Sequence, residues 1–555
     1  MILSGSDIVV RTLIEQGVET VFGYPGGQVI NIYDSLYKYQ DEIDHILTAH
    51  EQGAAHAADG YARSTGKAGV VIATSGPGAT NLVTGIATAY LDSIPMVAIT
   101  GNVATTSIGT DSFQEIDITG VTLPITKHNY FVSDISELAD TIREAFSLSV
   151  SGRPGPVLID IPKDIQTALY EYTPEEKAMP DERFAAKEIR IQAAAECINK
   201  CKKPFIYFGG GLAASGAQEE MMSLAEKIDA PLGCSMMGIS AIPTDTPDFL
   251  GMQGMHGHLA CTTAMHNADC IIALGVRFND RVMGDMKKFA LEAKIVHIDI
   301  DGAEISKNTL DFTGLRGDLK ETLIKLLPLI KESKKPNWKK NIEEYKALEA
   351  KYSDLREGFT PKNIIQSINK RLTQNTTVVT DVGQHQMWAA QYISLSKERK
   401  FISSGGLGTM GFGLGAAIGA SFANKERTLL ITGDGSFGMN LNELATAVRY
   451  DLPITVVIMN NSSLGMVRQW QTFFFEKRYS NTDLRATTDF VALAKAFGAY
   501  GTSVDSIKAL NNALDESFNG SGVYVIDCKI DKDELVLPML PSGGSMDDII
   551  IKYED

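Results

Sequence analysis

The chain has 555 residues, 44% of them hydrophobic and 21% charged, with a formal net charge of -17. That length suggests about three to four domains, and the acidic balance argues against nucleic acid or an anionic membrane as partner. No apolar stretch reaches transmembrane length, and the six cysteines lack disulfide or zinc spacing, so buried free thiols are expected for most of them.

An amphipathic helix over 7–16 begins within a few residues of Met1, so no signal or transit peptide is expected and a cytoplasmic location is. A strand over 45–49 ends near Glu51, ahead of a helix over 53–63. Glu51 reads either as a first-turn acid favouring the helix dipole or as a buried catalytic carboxylate; position alone favours the first. The stretch 170–187, rich in charge and proline, reads as a linker. Beyond it, predicted strands over 205–208, 270–274 and 295–300 end in Gly209-Gly210-Gly211, in Gly275 and beside the acidic Asp299. A glycine-rich turn followed by a helix cradles a pyrophosphate, and an acid after a later strand takes ribose hydroxyls. The lysine-rich stretch 328–361 is a second connection with some helical character.

In the last third, a β-branched run over 428–432 feeds Gly433-Asp434-Gly435. Twenty-seven residues after Asp434, a second run over 454–459 has ended in Asn460-Asn461. The amphipathic stretch 441–450 between them is long enough for one crossover helix, which makes a right-handed βαβ unit. Asp434 and Asn461 then sit side by side at the carboxyl edge of a parallel sheet. A carboxylate and an amide oxygen are hard ligands and suit Mg²⁺, which takes substrate phosphates for its remaining positions. Asp-Gly alone is a common strand-end turn; Asn-Asn at this distance favours the metal site.

The fold class expected is α/β, with three doubly wound parallel-sheet domains over 1–170, 188–328 and 360–555. The first and third resemble each other at a constant offset of 358: residues 70–74 fall on 428–432, Pro95 on Pro453 and Asn102 on Asn460. Gly76 then stands where Asp434 stands, and Glu51 opposite Thr409, beside Met410.

The segments HEQGAAHAADGYAR, TSGPGATN, GTDSFQE, RPGPVLIDIPKD, DVGQHQMW, SGGLGTMG, GDGSFGMN and NNSSLGMVRQWQ occur in one order over almost the full chain. In them the chain resembles the acetohydroxyacid (acetolactate) synthase family of the thiamin diphosphate (ThDP)-dependent decarboxylases. GTDSFQE, RFNDR and LGMVRQWQ separate that family from other ThDP enzymes. The resemblance implies a pyrimidine-binding first domain, a central FAD domain and a diphosphate-binding third domain. Glu51 would hydrogen-bond the aminopyrimidine ring of ThDP and favour its imino tautomer. Met410, otherwise a core filler, would bend the cofactor. Val382, Gly383, Gln384 and His385 would hold the diphosphate, with further contacts from Gly408, Gly435, Ser436, Gly465 and Met466. Asp434, Asn461 and the Ser463 carbonyl would hold Mg²⁺.

For substrate, the resemblance implies that Phe113, Gln114 and Lys163 line the pocket of the neighbouring subunit. Arg281 would receive the second 2-ketoacid, apt because its planar fork matches a carboxylate; without the family, RFNDR is a solvated charged turn. Trp470 would shape the acceptor pocket and is otherwise a core aromatic. FAD contacts are implied at Arg153, Gly209, Gly211, Gly254, His256 and Gly257, and at Gly275, Arg277, Asp299 and Asp318. Asn279 stands where the family usually has aspartate, which weakens one flavin contact. The implied reaction decarboxylates pyruvate and joins the two-carbon unit to pyruvate or 2-ketobutyrate, giving 2-acetolactate or 2-aceto-2-hydroxybutyrate for branched-chain amino acids. No net redox occurs in that reaction, so FAD would be structural or vestigial. A homodimer or homotetramer is implied, and a small regulatory subunit is admitted. The rival readings are a catabolic acetolactate synthase without FAD, a pyruvate oxidase and a non-catalytic scaffold.

Overall fold

The computed structural model describes residues 1–176, 183–285, 287–308, 312–397, 400–485 and 487–552; residues 177–182 of the predicted first linker lie outside them. Among the described residues there are three six-stranded sheets. The first orders its strands Asp44–Leu47, Thr20–Tyr24, Gly69–Ala73, Met96–Asn102, Pro156–Pro162 and His128–Phe131. The third orders Phe401–Ile402, Val378–Thr380, Thr428–Gly433, Ile454–Asn460, Tyr524–Lys529 and Tyr500–Val504. Numbered along the chain, both read 2-1-3-4-6-5. Their central strands are buried along their whole length, as parallel strands covered on both faces are, which is why they read in sequence as β-branched runs.

The chain folds as two compact units. One, Met1–Asp181 with Thr376–His385 and Ile402–Lys532, contains the first and third sheets. Within it helix Glu51–Thr65 packs backbone to backbone on helix Phe412–Ala423. A Cβ on Gly60 would overlap the Ala416 carbonyl, and one on Gly419 the Ala57 carbonyl, so neither position admits a side chain.

The other unit, Glu182–Asn375 with Gln386–Phe401 and Asp533–Asp555, contains the central sheet. Its order is Phe249–Met252, Leu232–Cys234, Pro204–Phe208, Cys270–Leu274, Lys294–Asp299 and Phe312–Arg316, all parallel. Numbered along the chain that is 3-2-1-4-5-6, the doubly wound dinucleotide-binding order. Much of the predicted second connection is a helix, Pro336–Tyr352, that belongs to this unit's core. Trp338 anchors it, buried and donating from Nε1 to the Pro204 carbonyl at 2.9 Å.

The predicted crossover helix over 441–450 is broken. Helix Asp434–Asn440 follows the strand directly, then a tight turn Leu441–Glu443, then helix Leu444–Arg449. Gly435 and Gly438 interrupt the apolar period of the first piece, so periodicity detects only the later two.

Candidate cofactor site

In the third sheet the order reverses between Val378–Thr380 and Thr428–Gly433, the place where open sheets bind ligands. The predicted diphosphate and metal segments meet there. Ser436 donates from Oγ to the Val382 carbonyl at 2.7 Å. Gln384 accepts from Asn461 Nδ2 at 3.2 Å and donates to Gln469 at 3.0 Å. A Cβ on Gly465 would overlap the Gln384 amide, and one on Gly383 would lie 2.8 Å from the His385 ring, so these glycines let the loops close together. Met466 follows Gly465 in the first turn of helix Gly465–Phe474 and is half-buried.

Asp434 opens its helix and is buried, with backbone N–H groups of that turn as donors. Burial pushes its carboxyl up to about 6. A divalent cation is the kind of partner that favours the ionised form of such a group. Ser463 spends its N–H on Asn461 Oδ1 at 3.1 Å and its hydroxyl on the Thr482 carbonyl at 2.8 Å, so its main-chain carbonyl is the oxygen it can offer. His385 is fully buried, held neutral by that burial at about 3, and its Nε2 has no hydrogen-bond partner. One carboxylate, one amide, one carbonyl and an unpartnered buried ring nitrogen suit a magnesium-bound diphosphate. Among the described residues no group of three His, Cys, Asp or Glu side chains could hold a metal ion.

Met410 is half-buried rather than core, with its Cε 3.8 Å from where a Cβ on Gly435 would stand. The loop before it is exposed, with open space at Gly408, φ +71. Gly411 N donates to Asp381 at 2.8 Å, and burial pushes that carboxyl up to about 6. Trp470 is half-buried and meets Phe474 edge-on at 5.5 Å, so it is not a core aromatic.

A second cluster forms at the first sheet. Glu51 is the first residue of its helix and accepts from Asn81 Nδ2 at 3.0 Å. A Cβ on Gly78 would lie 3.3 Å from its carboxylate. Gln114, at φ +63, packs over Gly76. Phe113 beside it is 84% exposed, and Lys163 is exposed and donates to the Gly27 carbonyl at 3.4 Å. Glu51 with Asn81 stands at the end of the first sheet and Asp434 with Asn461 at the end of the third, so the predicted ThDP residues form two half-sites. Gly76 precedes its helix at φ +61, whereas Asp434, 358 residues on, is the first residue of its own.

In the second unit, Gly209 and Gly275 end the two strands that flank the order reversal. A Cβ on Gly211 would lie 2.7 Å from Gly275 Cα, so both loops need glycine to pass each other. The predicted GMHG and RFNDR segments come together as well. Met255 N donates to the Arg281 carbonyl at 2.7 Å, Arg281 Nη1 lies 3.3 Å from Met255 Sδ, and a Cβ on Gly254 or Gly257 would meet backbone. His256 is buried, and burial lowers it to about 4 against the opposing pull of backbone groups at Pro538 and Val536. Arg277 is half-buried on the same segment. Asp299 ends the fifth strand and accepts from Asp301 N at 2.9 Å; Asp318 N-caps helix Leu319–Leu326. Asn279 N-caps helix Asp280–Met283 through Val282 N at 3.2 Å, a role asparagine fills as well as aspartate. The strand order and the close-passing glycines suit a dinucleotide. Arg153 belongs to the first unit, where it donates to Ser93 Oγ at 2.8 Å.

Sequence reasoning passed over Asn81, Asp381, Gln469 and Glu443. Asn81 and Asp381 lay inside segments already singled out. Glu443 was legible only as a lone acid in an apolar stretch.

Three family models match the chain. They are the thiamine pyrophosphate enzyme N-terminal TPP binding domain over residues 3–121, the central domain over 191–326 and the C-terminal TPP binding domain over 381–528. The acetolactate synthase isozyme 2 large subunit of Escherichia coli (strain K12) is 44% identical over 553 residues, covering 99% of this chain and 100% of that protein. The probable acetolactate synthase large subunit of Methanocaldococcus jannaschii is 43% identical over 567 residues, covering 99% and 95%. That of Haemophilus influenzae is 40% identical over 563 residues, covering 99% and 98%. The chain belongs to the acetolactate synthase large-subunit family. In this family member the two TPP-binding matches span the two half-sites, Glu51 in one and Asp434 with Asn461 in the other. Among the described residues no helix is long and apolar enough to cross a membrane.

Proposed function

We propose that the protein is a biosynthetic acetolactate synthase. It decarboxylates pyruvate and joins the two-carbon unit to a second 2-ketoacid, pyruvate or 2-ketobutyrate. The observation carrying this reading is the Asp434–Asn461–Ser463 cluster, assembled with Val382 and Ser436 at a sheet reversal inside a TPP-binding match. ThDP, when bound, supplies the carbon nucleophile and the electron sink for decarboxylation. Asp434, Asn461 and the Ser463 carbonyl would hold Mg²⁺, and Gln384 and His385 would bind the diphosphate. Glu51, which accepts from Asn81, would hydrogen-bond the aminopyrimidine ring. Met410, half-buried near Gly435, would support the cofactor. Trp470 would present an apolar wall to the acceptor's alkyl group.

Because the half-sites are separate clusters within one chain, a second copy completes each site, and exposed Phe113 and Lys163 serve the partner's pocket. A homodimer is the minimum assembly. The relatives are named large subunits, which supports a small regulatory partner. In the second unit Gly209, Gly275, His256 and Arg277 would hold FAD, as a structural group, since the reaction has no net redox.

The test is a product assay with pyruvate and 2-ketobutyrate together, with and without added FAD. Both acetohydroxyacids and a yellow protein are expected. Oxygen consumption with pyruvate alone would make the protein an oxidase, and a colourless active protein would remove FAD from the reading.

A further inference from the structure

Glu443 carries a side chain with no exposed surface, and no step above uses it. It sits in the turn Leu441–Glu443, just past the helix that Asp434 opens. Its carboxylate accepts from Ala49 N at 3.1 Å, from His50 N at 3.0 Å and from Thr446 Oγ1 at 2.7 Å. Ala49 and His50 are the two residues before Glu51, and His50 is the N-cap of the Glu51 helix. Two adjacent amides on one carboxylate fix two consecutive peptide planes, and charge-assisted bonds of this kind are the strong ones. Gly53 makes room, since a Cβ there would overlap the carboxylate. Two neighbours brace the same strand end from outside: Tyr450 accepts from Leu47 N at 2.8 Å, and Arg449 donates to the Leu47 carbonyl at 3.0 Å.

We propose that Glu443 is a positioning residue for the ThDP-activating acid: by holding the amides of Ala49 and His50 it fixes where the Glu51 carboxylate stands. The proposal rests on the reading of Glu51 given above. Burial of a carboxylate is costly unless its lone pairs are satisfied, and here the donors come from the backbone leading into Glu51. Burial raises the Glu443 carboxyl, and the bonds it accepts from Thr446, Ala49 and His50 oppose that rise. Glu51 is then held from two sides, its backbone by Glu443 and its carboxylate by Asn81.

Glu443→Gln keeps the shape but replaces one accepting oxygen with an amide that opposes the N–H donors. In the apoprotein, hydrogen exchange at the Ala49 and His50 amides should rise about tenfold. In the holoenzyme, C2–H exchange of bound ThDP should slow by about 10–100-fold, the effect of a small misplacement, with ThDP affinity by calorimetry unchanged within about threefold. The double variant Glu51→Gln with Glu443→Gln should be no slower than Glu51→Gln, because both act through one carboxylate. Thr446→Val, which removes only the hydroxyl donor, keeps the test open if Glu443→Gln does not fold; it should slow C2 exchange by about threefold. Wild-type C2 exchange in Glu443→Gln, or in Thr446→Val if only that variant folds, together with slow exchange in Glu51→Gln, would overturn the positioning role. Wild-type exchange in Glu51→Gln would instead overturn the reading of Glu51 itself.

Discussion

The first and third sheets carry one buried pair in one place. Asn102 donates to Asp160 at 2.6 Å, and Asn460 donates to Asp527 at 2.8 Å. Thr100 faces Asp160 across the strands as Ile458 faces Asp527, and both Thr100–Ile458 and Asn102–Asn460 keep the offset of 358. Around that pair the carboxyl ends diverge. The first sheet places its acid, Glu51, after its second strand and has Gly76 after its third; the third sheet has Thr409 opposite Glu51 and Asp434 after its third strand. Strand pairing preserves register, because a slip would break the buried ladder and its packing. The strand ends carry no such constraint, and there the two sheets carry different candidate site residues.

Replacing Asp434 with alanine makes the third sheet's end like the first's, and it is the largest change expected. Magnesium-dependent ThDP binding should weaken by at least about a hundredfold, read by calorimetric titration. Affinity close to wild type would move the metal elsewhere. The converse change, Glu51→Gln, removes the acid peculiar to the first sheet. The kcat should fall by about 10²–10⁴ with ThDP still bound, and NMR of C2–H exchange locates the loss.

The shared pair can be sharpened by pH. Burial raises the Asp160 carboxyl from 3.8 to about 7. The folded protein therefore binds that proton more tightly than the unfolded chain. Stability from this group is gained as pH falls from about 7 towards 4 and is absent above that range. Asp160→Asn should remove about 2 kcal/mol of the stability difference between pH 5 and pH 8, measured by urea unfolding at both values. An undiminished difference would mean that the carboxyl stays ionised. The smallest effect lies beyond the fourth strands, where the third sheet has helix Gly465–Phe474 and the first has the loop bearing Phe113. Trp470→Leu should lower the ratio of 2-aceto-2-hydroxybutyrate to 2-acetolactate by about 3–10-fold in competition. An unchanged ratio would leave the indole as packing only.

The sheets were legible because buried parallel strands read as β-branched runs: Cys270–Leu274 has its predicted bounds, and others differ by a residue or two. The halves of the candidate site were legible as motifs, and the contacts Ser436–Val382 and Gln384–Asn461 bring their members together. Helix Pro336–Tyr352 was legible only as some helical character in a connection, because its anchoring rests on Trp338 and Ile342 amid many lysines. Glu443 was hidden because its partners are backbone amides nearly 400 residues away in sequence, and a side chain's reach to a distant amide leaves no local pattern.

The glycine–alanine contact between helices Glu51–Thr65 and Phe412–Ala423 bears on how the chain is made. Some 350 residues separate the two helices, so at about 5–20 residues per second the ribosome takes roughly 20–70 s to deliver the second after the first. Throughout that interval the smooth face at Gly60 has no intramolecular cover, and closing so long a loop carries an entropic cost. Synthesis speed and chaperone capture should thus govern the yield of active protein more than the stability of the finished fold.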